Sequence, residues 1–343
     1  MPFSPVEVLN KIVEDTLVDT RLRSAVTLDT LAARGCTRSV NYSSLYWDVV
    51  VSSGSATWDS MSNVAAQSTL GQTVQGSLAL GGYKVTHKLS LSRVTLRDAA
   101  ARGAGELKNL LQMHVNDALL NIRRKVNSAI WLGDGTPAFG GFVGMPVILS
   151  NTASYAGIDP TVYPSWTPGV YLTNATPRPL TKSLLLDFRA AEAMNEVMHD
   201  TIITSPATAK SYNVLFDSVA NYLQVANANG GRGDVDLASG DRAWGGLPIL
   251  EDPLCPVGQI FTGALGYVDL ISYDLAGADS GVTAQLGLSD NFTVIRSSQV
   301  GGLCINIAMI PEVNPGTLTF EVFCVPQLRV RNRRMVQCID KIS

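Results

Sequence analysis

Few residues of this chain carry a charge. Lys, Arg, Asp and Glu make up 16% of its 343 residues, against about 25% in typical soluble domains, whereas the 46% content of hydrophobic residues is ordinary. We infer that much of the folded surface faces other protein rather than water. The formal net charge of -3 argues against a sequence-reading nucleic-acid binder, because such proteins concentrate basic residues on one face.

Motifs of common catalytic and binding sites are also missing. The sequence has no Walker-type phosphate loop, no H-E-x-x-H and no G-x-S-x-G, and its three histidines (His87, His114 and His199) are far apart. We therefore expect no enzymatic activity and no cofactor. The five cysteines never occur in C-x-x-C spacing, so we expect reduced, mostly buried thiols and no zinc site. They are Cys36, Cys255, Cys304, Cys324 and Cys338.

Targeting and membrane-spanning segments are not apparent either. No run of about 18 apolar residues is present to cross a bilayer. Residues Met1–Glu7 lack the basic start and apolar core of a secretory signal. We expect a protein made and kept in the cytoplasm, without a membrane partner, and long enough to form two packed units.

A glycine-rich segment, Leu132–Gly141, follows a long predicted helix. Apolar residues recur every three or four positions from Glu106 to Leu132 and form one stripe, with Arg123 and Asn127 expected to project elsewhere. Carbonyl oxygens point outward at the end of a helix and repel phosphate. We interpret Gly133–Gly135 as a turn that ends the helix, with Gly133 in the left-handed conformation, and not as a nucleotide site.

The remaining patterns predict an α+β fold. Residues 4–19 predict a short docking helix. Leu45–Val51 and Tyr83–Leu91 predict two strands joined through a polar tip, as a long hairpin that reaches onto a neighbouring molecule. Further predicted elements are a strand at Phe142–Leu149, a helix from Thr181 with Leu184, Leu185, Phe188, Ala191 and Met194 on its core face, a strand at Thr201–Thr204, a helix capped by Ser205, and a strand-rich region after Phe292.

Seven residues are candidates for contacts between subunits: Trp58, Met61, Lys84, Arg329, Arg331, Arg333 and Arg334. An exposed tryptophan near the hairpin tip is costly unless a partner covers it, although Trp58 could instead cluster locally with Met61. The four arginines are expected on one side of a strand at 328–336. There they would pair with the acidic residues upstream, within the subunit or across subunits, or alternatively contact phosphate.

The order of these pieces resembles the major capsid proteins of tailed bacteriophages, which have the Hong Kong 97-like fold. The residues that carry the resemblance are the run Val85–Asp98, the long helix ending in Gly133–Gly135, the helix pair joined by Ile202–Pro206, and Gly245–Leu250. The resemblance implies an N-terminal arm at 1–44, an extended loop at 45–92, a peripheral domain at 93–171 with the long spine helix, an axial domain at 172–295, and C-terminal strands of the peripheral domain at 296–343.

The function implied by the resemblance is that of a shell. Copies would form pentamers and hexamers that close into an icosahedral capsid around packaged double-stranded DNA, held without sequence recognition. The virion capsid would assemble in the host bacterial cytoplasm, with portal, separate scaffolding and cement proteins as further partners. Because no lysine lies between residues 45 and 83, we expect no isopeptide cross-link from the extended loop. The alternatives are an encapsulin-type shell around an enzyme cargo and an unrecognised cytoplasmic α+β enzyme.

Overall fold

The computed structural model of the chain describes residues 25–54, 71–80, 84–197, 199–220, 243–244, 247–275, 293–310 and 316–343. The predicted helix at 4–19, and Trp58 and Met61, lie outside these residues. The described chain forms two compact units. The first comprises the described parts of Met1–Trp47, Gly76–Val147 and Val268–Arg329, and the second those of Asp48–Gln75, Ile148–Tyr267 and Val330–Ser343.

A 29-residue helix, α3 (Ala104–Leu132), runs through the first unit. It follows two shorter helices, α1 (Val26–Ala33) and α2 (Arg93–Arg102). The predicted apolar stripe of α3 is confirmed by a buried row of side chains: Leu111, Val115, Leu119, Ile122, Val126 and Ile130. These positions recur at helical spacing, so they form one continuous core face.

Two polar residues of α3 are buried, contrary to the expectation that they project away from the core. Arg123 is 3% exposed and pairs with Asp29, and Asn127 is fully buried and accepts a hydrogen bond from the Leu28 backbone N–H at 3.0 Å. Both partners belong to α1, a helix that the sequence patterns did not predict. A second helix packed on this face therefore turns polar positions into core positions.

Gly133 ends α3 as predicted, but not in the predicted conformation. Its φ of -66° and ψ of 118° are extended and not left-handed. Glycine is required there by close packing, because a Cβ atom would lie 2.5 Å from the Ala129 carbonyl oxygen and 2.8 Å from that of Phe142. The left-handed conformation appears two residues later, at Gly135, with a φ of 79°.

The sheets of the first unit combine distant parts of the chain. Strands β1 (Thr37–Val40) and β10 (Val268–Tyr273) pair in parallel, and β14 (Pro326–Val330) lies on the other side of β10. The second sheet consists of four antiparallel strands: β4 (Val85–Ser92), β11 (Thr293–Val300), β12 (Leu303–Ile310) and β13 (Thr317–Cys324). Their order across the sheet is β11, β12, β13, β4.

The hairpin exists, but its returning strand was assigned wrongly. Strand β2 (Ser44–Ser52) pairs with β3 (Gln72–Ala79), whereas the predicted partner, β4, pairs with β13 instead. Strand β3 consists mainly of small and polar residues and shows little hydrophobic alternation, so it went unnoticed in the sequence. The alternation of β4 is genuine, with Leu89 and Leu91 buried, but it reflects packing inside a four-stranded sheet.

The second unit contains a six-stranded sheet. Its strands are β5 (Tyr171–Leu172), β6 (Thr201–Thr204), β7 (Ala243–Trp244), β8 (Leu247–Glu251), β9 (Ile260–Gly263) and β15 (Val336–Ile339). Their order across the sheet is β5, β15, β9, β6, β8, β7. Helices α5 (Lys182–Met194) and α6 (Pro206–Ala220) accompany it. Its core includes Phe188, Ile202, Ile249, Ile260 and Ile339.

A hydroxyl side chain caps the start of each of these two helices, as was predicted for Ser205. The Thr181 hydroxyl accepts a hydrogen bond from the Leu184 backbone N–H at 3.2 Å, and the Ser205 hydroxyl accepts one from that of Thr208 at 3.3 Å. Pro206 is the first residue of α6, where its missing N–H costs nothing.

Two other predictions were wrong. Phe142–Leu149 is not a strand, because Met145–Ile148 forms a single helical turn, α4. Met194 is 86% exposed, whereas Glu192 is buried on the core side of α5. The core stripe of α5 continues from Phe188 by a step of four to Glu192, so the apolar character of Met194 was misleading.

Candidate assembly surfaces

Strand β2 exposes large apolar side chains on one face. Its odd-numbered residues Leu45, Val49 and Val51 are buried, while Tyr46 is 61% and Val50 is 69% exposed. Side chains alternate between the two faces of a strand, so the exposed pair shares one face of the hairpin. Such a face is suited to being covered by another molecule.

A cleft of about 570 Å³ lies at the end of β2 in the second unit. Two of the predicted contact residues, Arg331 and Arg334, line it together with the end of the predicted hairpin strand. The Ser165 hydroxyl donates a hydrogen bond to the Val51 carbonyl and joins the two walls. The full lining is Asp48, Val49, Val50, Val51, Ser52, Ser53, Ser165, Trp166, Arg331, Asn332 and Arg334.

The C-terminal arginines do not share one strand, so that interpretation was wrong. Strand β14 ends at Val330, and a 3₁₀ turn at Arg333–Met335 separates it from β15. The Asn332 side chain caps this turn by accepting a hydrogen bond from the Arg334 backbone N–H at 3.1 Å. The turn sends successive arginines into different surroundings.

Arg333 is completely buried and bonded to the backbone of its own unit. Its guanidinium donates to the carbonyl oxygens of Ile148 at 2.5 Å, of Ala153 and Trp166 at 3.1 Å each, and of Ser150. Loss of hydration lowers the pKa of Arg333 to about 10, so the group remains charged at neutral pH. The Arg333 side chain therefore has no exposed surface to offer a neighbouring subunit.

Arg329 forms an ion pair with one of the acidic residues upstream. Its Nη2 lies 2.6 Å from Oδ2 of Asp269, whose side chain is 2% exposed. Arg38 approaches the same carboxylate at 3.6 Å, and the Trp47 ring centroid lies 5.9 Å from the Arg329 guanidinium carbon. The predicted pairing of these arginines with acidic residues is thus confirmed for Arg329, within the subunit.

Arg331 and Arg334 remain on the surface. Both donate to backbone carbonyls, Arg331 to Gly266 and Arg334 to Asn195 at 3.2 Å. The Arg331 guanidinium carbon also lies 5.9 Å from the centroid of the Tyr267 ring. These bonds hold the two guanidinium groups at the cleft, where an acidic partner could reach them.

Lys84 precedes β4 and binds a buried carboxylate. Its Nζ lies 2.8 Å from Oε2 of Glu321 and 4.8 Å from the centroid of the Phe323 ring. The Thr86 hydroxyl donates to the other carboxylate oxygen. Glu321 was expected to pair with the C-terminal arginines; its pairing with Lys84 was not foreseen, because the two residues lie 237 positions apart.

No protein-family model and no curated protein matches the sequence. Solved structures match over nearly the whole chain. A chain of the cyanophage A-1(L) capsid asymmetric unit is 20% identical, with a TM-score of 0.72 and 95% of each chain covered. A chain from the capsid of the native GTA particle is 15% identical, with a TM-score of 0.57 and with 92% of this chain and 91% of that chain covered.

These matches extend over more than nine tenths of the chain and therefore include residues of both compact units. The chain has the Hong Kong 97-like capsid fold. The predicted α+β class and the family resemblance are therefore confirmed at the level of the fold. A shell protein of another kind shares this capsid fold: the holo-SrpI encapsulin of Synechococcus elongatus PCC 7942 is 10% identical, with a TM-score of 0.52 and with 94% of this chain and 90% of that chain covered.

The described residues agree with the predicted environment of the thiols. All five cysteines are free and buried, as expected. His199 is packed as well, with its Nδ1 2.7 Å from Oε1 of Glu192. Within the described ranges, no helix is both long and apolar enough to cross a membrane.

Proposed function

We propose that the protein is the major capsid protein of a tailed bacteriophage. Copies assemble as pentamers and hexamers into an icosahedral shell that encloses packaged double-stranded DNA, in the cytoplasm of the bacterial host. The observation that carries this proposal is the likeness to the cyanophage capsid chain, which covers 95% of both chains with a TM-score of 0.72. Portal, scaffolding and cement proteins are the further partners expected in such a particle.

The surface chemistry supports a role in assembly. A closed shell requires each subunit to offer several modest interfaces, and the low content of charged residues suits surfaces that face protein. The outward face of β2, with Tyr46 and Val50 exposed, offers one such surface. Packaged DNA needs containment and not recognition, so a weakly acidic protein is compatible with it.

The regions implied by the resemblance are part of the proposal. Residues 1–44 serve as an arm and 45–92 as the extended loop, which overlies an adjacent subunit. Residues 93–171 and 296–343 are assigned to the peripheral domain and 172–295 to the axial domain around the symmetry axes, with β15 (Val336–Ile339) reaching back to pair with β9 in the six-stranded sheet. Because residues 45–83 contain no lysine, non-covalent contacts alone hold the shell together.

An encapsulin-type compartment is the second candidate. It is favoured by the likeness to the holo-SrpI encapsulin, with a TM-score of 0.52. The two candidates differ in what the shell contains, an enzyme cargo in one and a genome in the other.

The deciding experiment is expression of the protein followed by sedimentation and electron microscopy. We expect closed shells or capsomer rings, and a single band of monomer mass after heating in detergent. A protein that sediments as a monomer or dimer, without shells or rings, contradicts the proposal. Particles from the native source distinguish the candidates, since a capsid protects DNA from nuclease and an encapsulin co-purifies with an enzyme.

A finer test concerns the extended loop. Deletion of Ser60–Gly71 should leave a folded subunit that cannot form closed shells. Trp58→Ala should weaken assembly at least tenfold, because an interface tryptophan contributes about 2 kcal/mol or more, whereas Trp58→Tyr should retain most of it. Normal shells from the deletion variant contradict the role of the loop.

A further inference from the structure

A cavity of about 600 Å³ opens at the C-terminal end of α5 in the second unit. Its volume is typical of small-molecule sites. The walls are formed by α5, by the turn that follows α5 and by Leu247 of β8. None of the lining residues belongs to the exposed face of β2 or to the cleft at its end, so the surfaces described above make no use of this cavity.

His199 lines the cavity with an imidazole ring that is held in a fixed orientation. Its side chain is 6% exposed, and its Nδ1 lies 2.7 Å from Oε1 of Glu192. The Thr262 hydroxyl lies 3.4 Å from the same oxygen. The ring of Trp244 packs against the imidazole, with 6.0 Å between the two centroids, and also contacts the buried ring of Phe188. The ring is therefore in place before any ligand binds.

The second nitrogen of this ring has no partner. Nε2 of His199 forms no hydrogen bond with any residue that the structure describes. A carboxylate only accepts hydrogen bonds, so Nδ1 carries the hydrogen of the bond to Glu192, and Nε2 of the neutral ring holds a lone pair. Buried polar atoms in folded proteins almost always have a partner. A ligand that donates a hydrogen bond would supply the one that Nε2 lacks.

The cavity carries an excess of negative charge. Two carboxylates line it, Glu192 and Glu196, against the single guanidinium of Arg189. Glu196 is exposed and forms no ion pair within the described chain. Its φ of 55° is the left-handed conformation that glycine adopts most easily at the end of a helix. A glutamate at such a position lowers the stability of the subunit, which indicates that its carboxylate has another role.

The remaining walls of the cavity are aliphatic. Ala193, Val197 and Leu247 line it, and Val197 is 6% exposed. A methylene chain can cover such walls while a charged group at its end reaches the polar atoms. An ammonium group on a methylene chain therefore matches the cavity, because its N–H groups donate to acceptors and its charge offsets the excess of carboxylates.

We propose that this cavity binds a primary alkylammonium group, with Nε2 of His199 and the carboxylate of Glu196 as the acceptors. Glu192 is a positioning residue, because it keeps the hydrogen of the imidazole on Nδ1. The ammonium group has two possible sources, a free linear diamine and the side chain of a lysine. The inference does not depend on the capsid role, since every lining residue belongs to one unit of a single chain.

Calorimetric titration of the full-length protein with 1,5-diaminopentane tests the proposal. We expect a dissociation constant of about 1 mM or below at low salt, and a higher melting temperature in the presence of the diamine, because the ligand binds only the folded chain. Pentane-1,5-diol and glutarate have the same chain length without the positive charge and should not bind. No binding of the diamine, or binding of glutarate in its place, overturns the proposal.

A lysine derivative, Nα-acetyl-lysine methylamide, distinguishes the two sources. Binding as tight as that of the diamine supports the site and assigns it to a lysine side chain. Binding of the diamine alone supports the site and assigns it to a free amine.

Three variants locate the bound group. His199→Asn keeps a donor towards Glu192 but removes the acceptor that faces the ligand, and should weaken binding at least about tenfold. Glu196→Gly should weaken binding to a similar extent, yet raise the melting temperature of the ligand-free protein, because glycine suits the left-handed conformation. Asp187→Asn is the matched control, since Asp187 is exposed on α5 and does not line the cavity.

The control should change the dissociation constant by less than about twofold, as expected for a distant surface charge. Equal losses for Asp187→Asn and Glu196→Gly would show that the diamine responds only to overall charge, and would overturn the site. Tight binding by a folded His199→Asn variant would overturn the role of Nε2. If His199→Asn does not fold, Glu196→Gly still decides the outcome, because that change is expected to stabilise the subunit.

Discussion

The ammonium group of Lys84 lies 2.8 Å from Oε2 of Glu321, a carboxylate that is 3% exposed in its side chain. The contact joins the residue before β4 to β13, its neighbour in the four-stranded sheet. The Thr86 hydroxyl is the other donor to this carboxylate. Lys84 was predicted as a contact residue between subunits, and this internal bond gives it a measurable role in the stability of the subunit.

Lys84→Met should lower the free energy of unfolding by about 1–3 kcal/mol, because it leaves a buried carboxylate short of a donor. Glu321→Gln should cost less, since the amide oxygen still accepts from Thr86. Urea unfolding of the unassembled subunit measures both. Equal losses in the two variants would contradict the extra penalty that we expect for leaving a buried carboxylate without its cation.

Arg333→Met should destabilise the second unit by about 2–4 kcal/mol, because several buried carbonyl oxygens lose their donor. Arg333→Lys should recover only part of this loss, since one ammonium cannot reproduce the fork of the guanidinium. Arg334→Met is the matched control, being the exposed neighbour in sequence, and should stay within about 0.5 kcal/mol. Thermal unfolding provides the comparison, and equal effects at 333 and 334 would contradict the role of Arg333.

Gly133→Ala should destabilise the first unit by about 1–3 kcal/mol, because the added methyl group meets two backbone oxygens. Gly266→Ala is the control, since a Cβ there has no neighbour within 4 Å. Urea unfolding of both variants checks the difference. A tolerated alanine at 133 would show that the α3 end relaxes at little cost.

Tyr171 makes the stability of the subunit sensitive to alkali. Burial raises the pKa of Tyr171 to about 12, aided by its hydrogen bond to Oδ2 of Asp340 at 2.7 Å. A raised folded-state pKa contributes stability that is complete below about pH 10 and is lost as the pH rises towards 12. Tyr171→Phe should flatten this part of the curve of unfolding free energy against pH, and should remove one late-ionising group from the absorbance titration. Tyr46→Phe, at an exposed position on β2, is the control variant.

The sequence predicted those parts of the fold that depend on local chemistry. The apolar stripe of α3 and the Ser205 cap involve residues close together in the chain, and both are present. The family resemblance added the order of the elements, and the fold confirms it.

The errors arose where a distant partner decides the outcome. Arg123 is buried because Asp29, 94 positions away, pairs with it. Strand β4 alternates apolar and polar residues, but this pattern does not reveal whether its partner is a strand close in sequence or the distant β13. The cleft at the end of β2 likewise combines Asp48 with Arg331, two residues that no sequence motif connects.

The position of β15 has a consequence for how the protein is made. This strand, Val336–Ile339, lies between β5 and β9 in the interior of the six-stranded sheet. The sheet can therefore be completed only after the ribosome has synthesised residue 339, and a polypeptide that stops earlier leaves β9 as an edge strand and β5 without its neighbour. We expect prematurely terminated chains to be proteolysed more readily than complete ones, because their sheet ends in an uncovered edge.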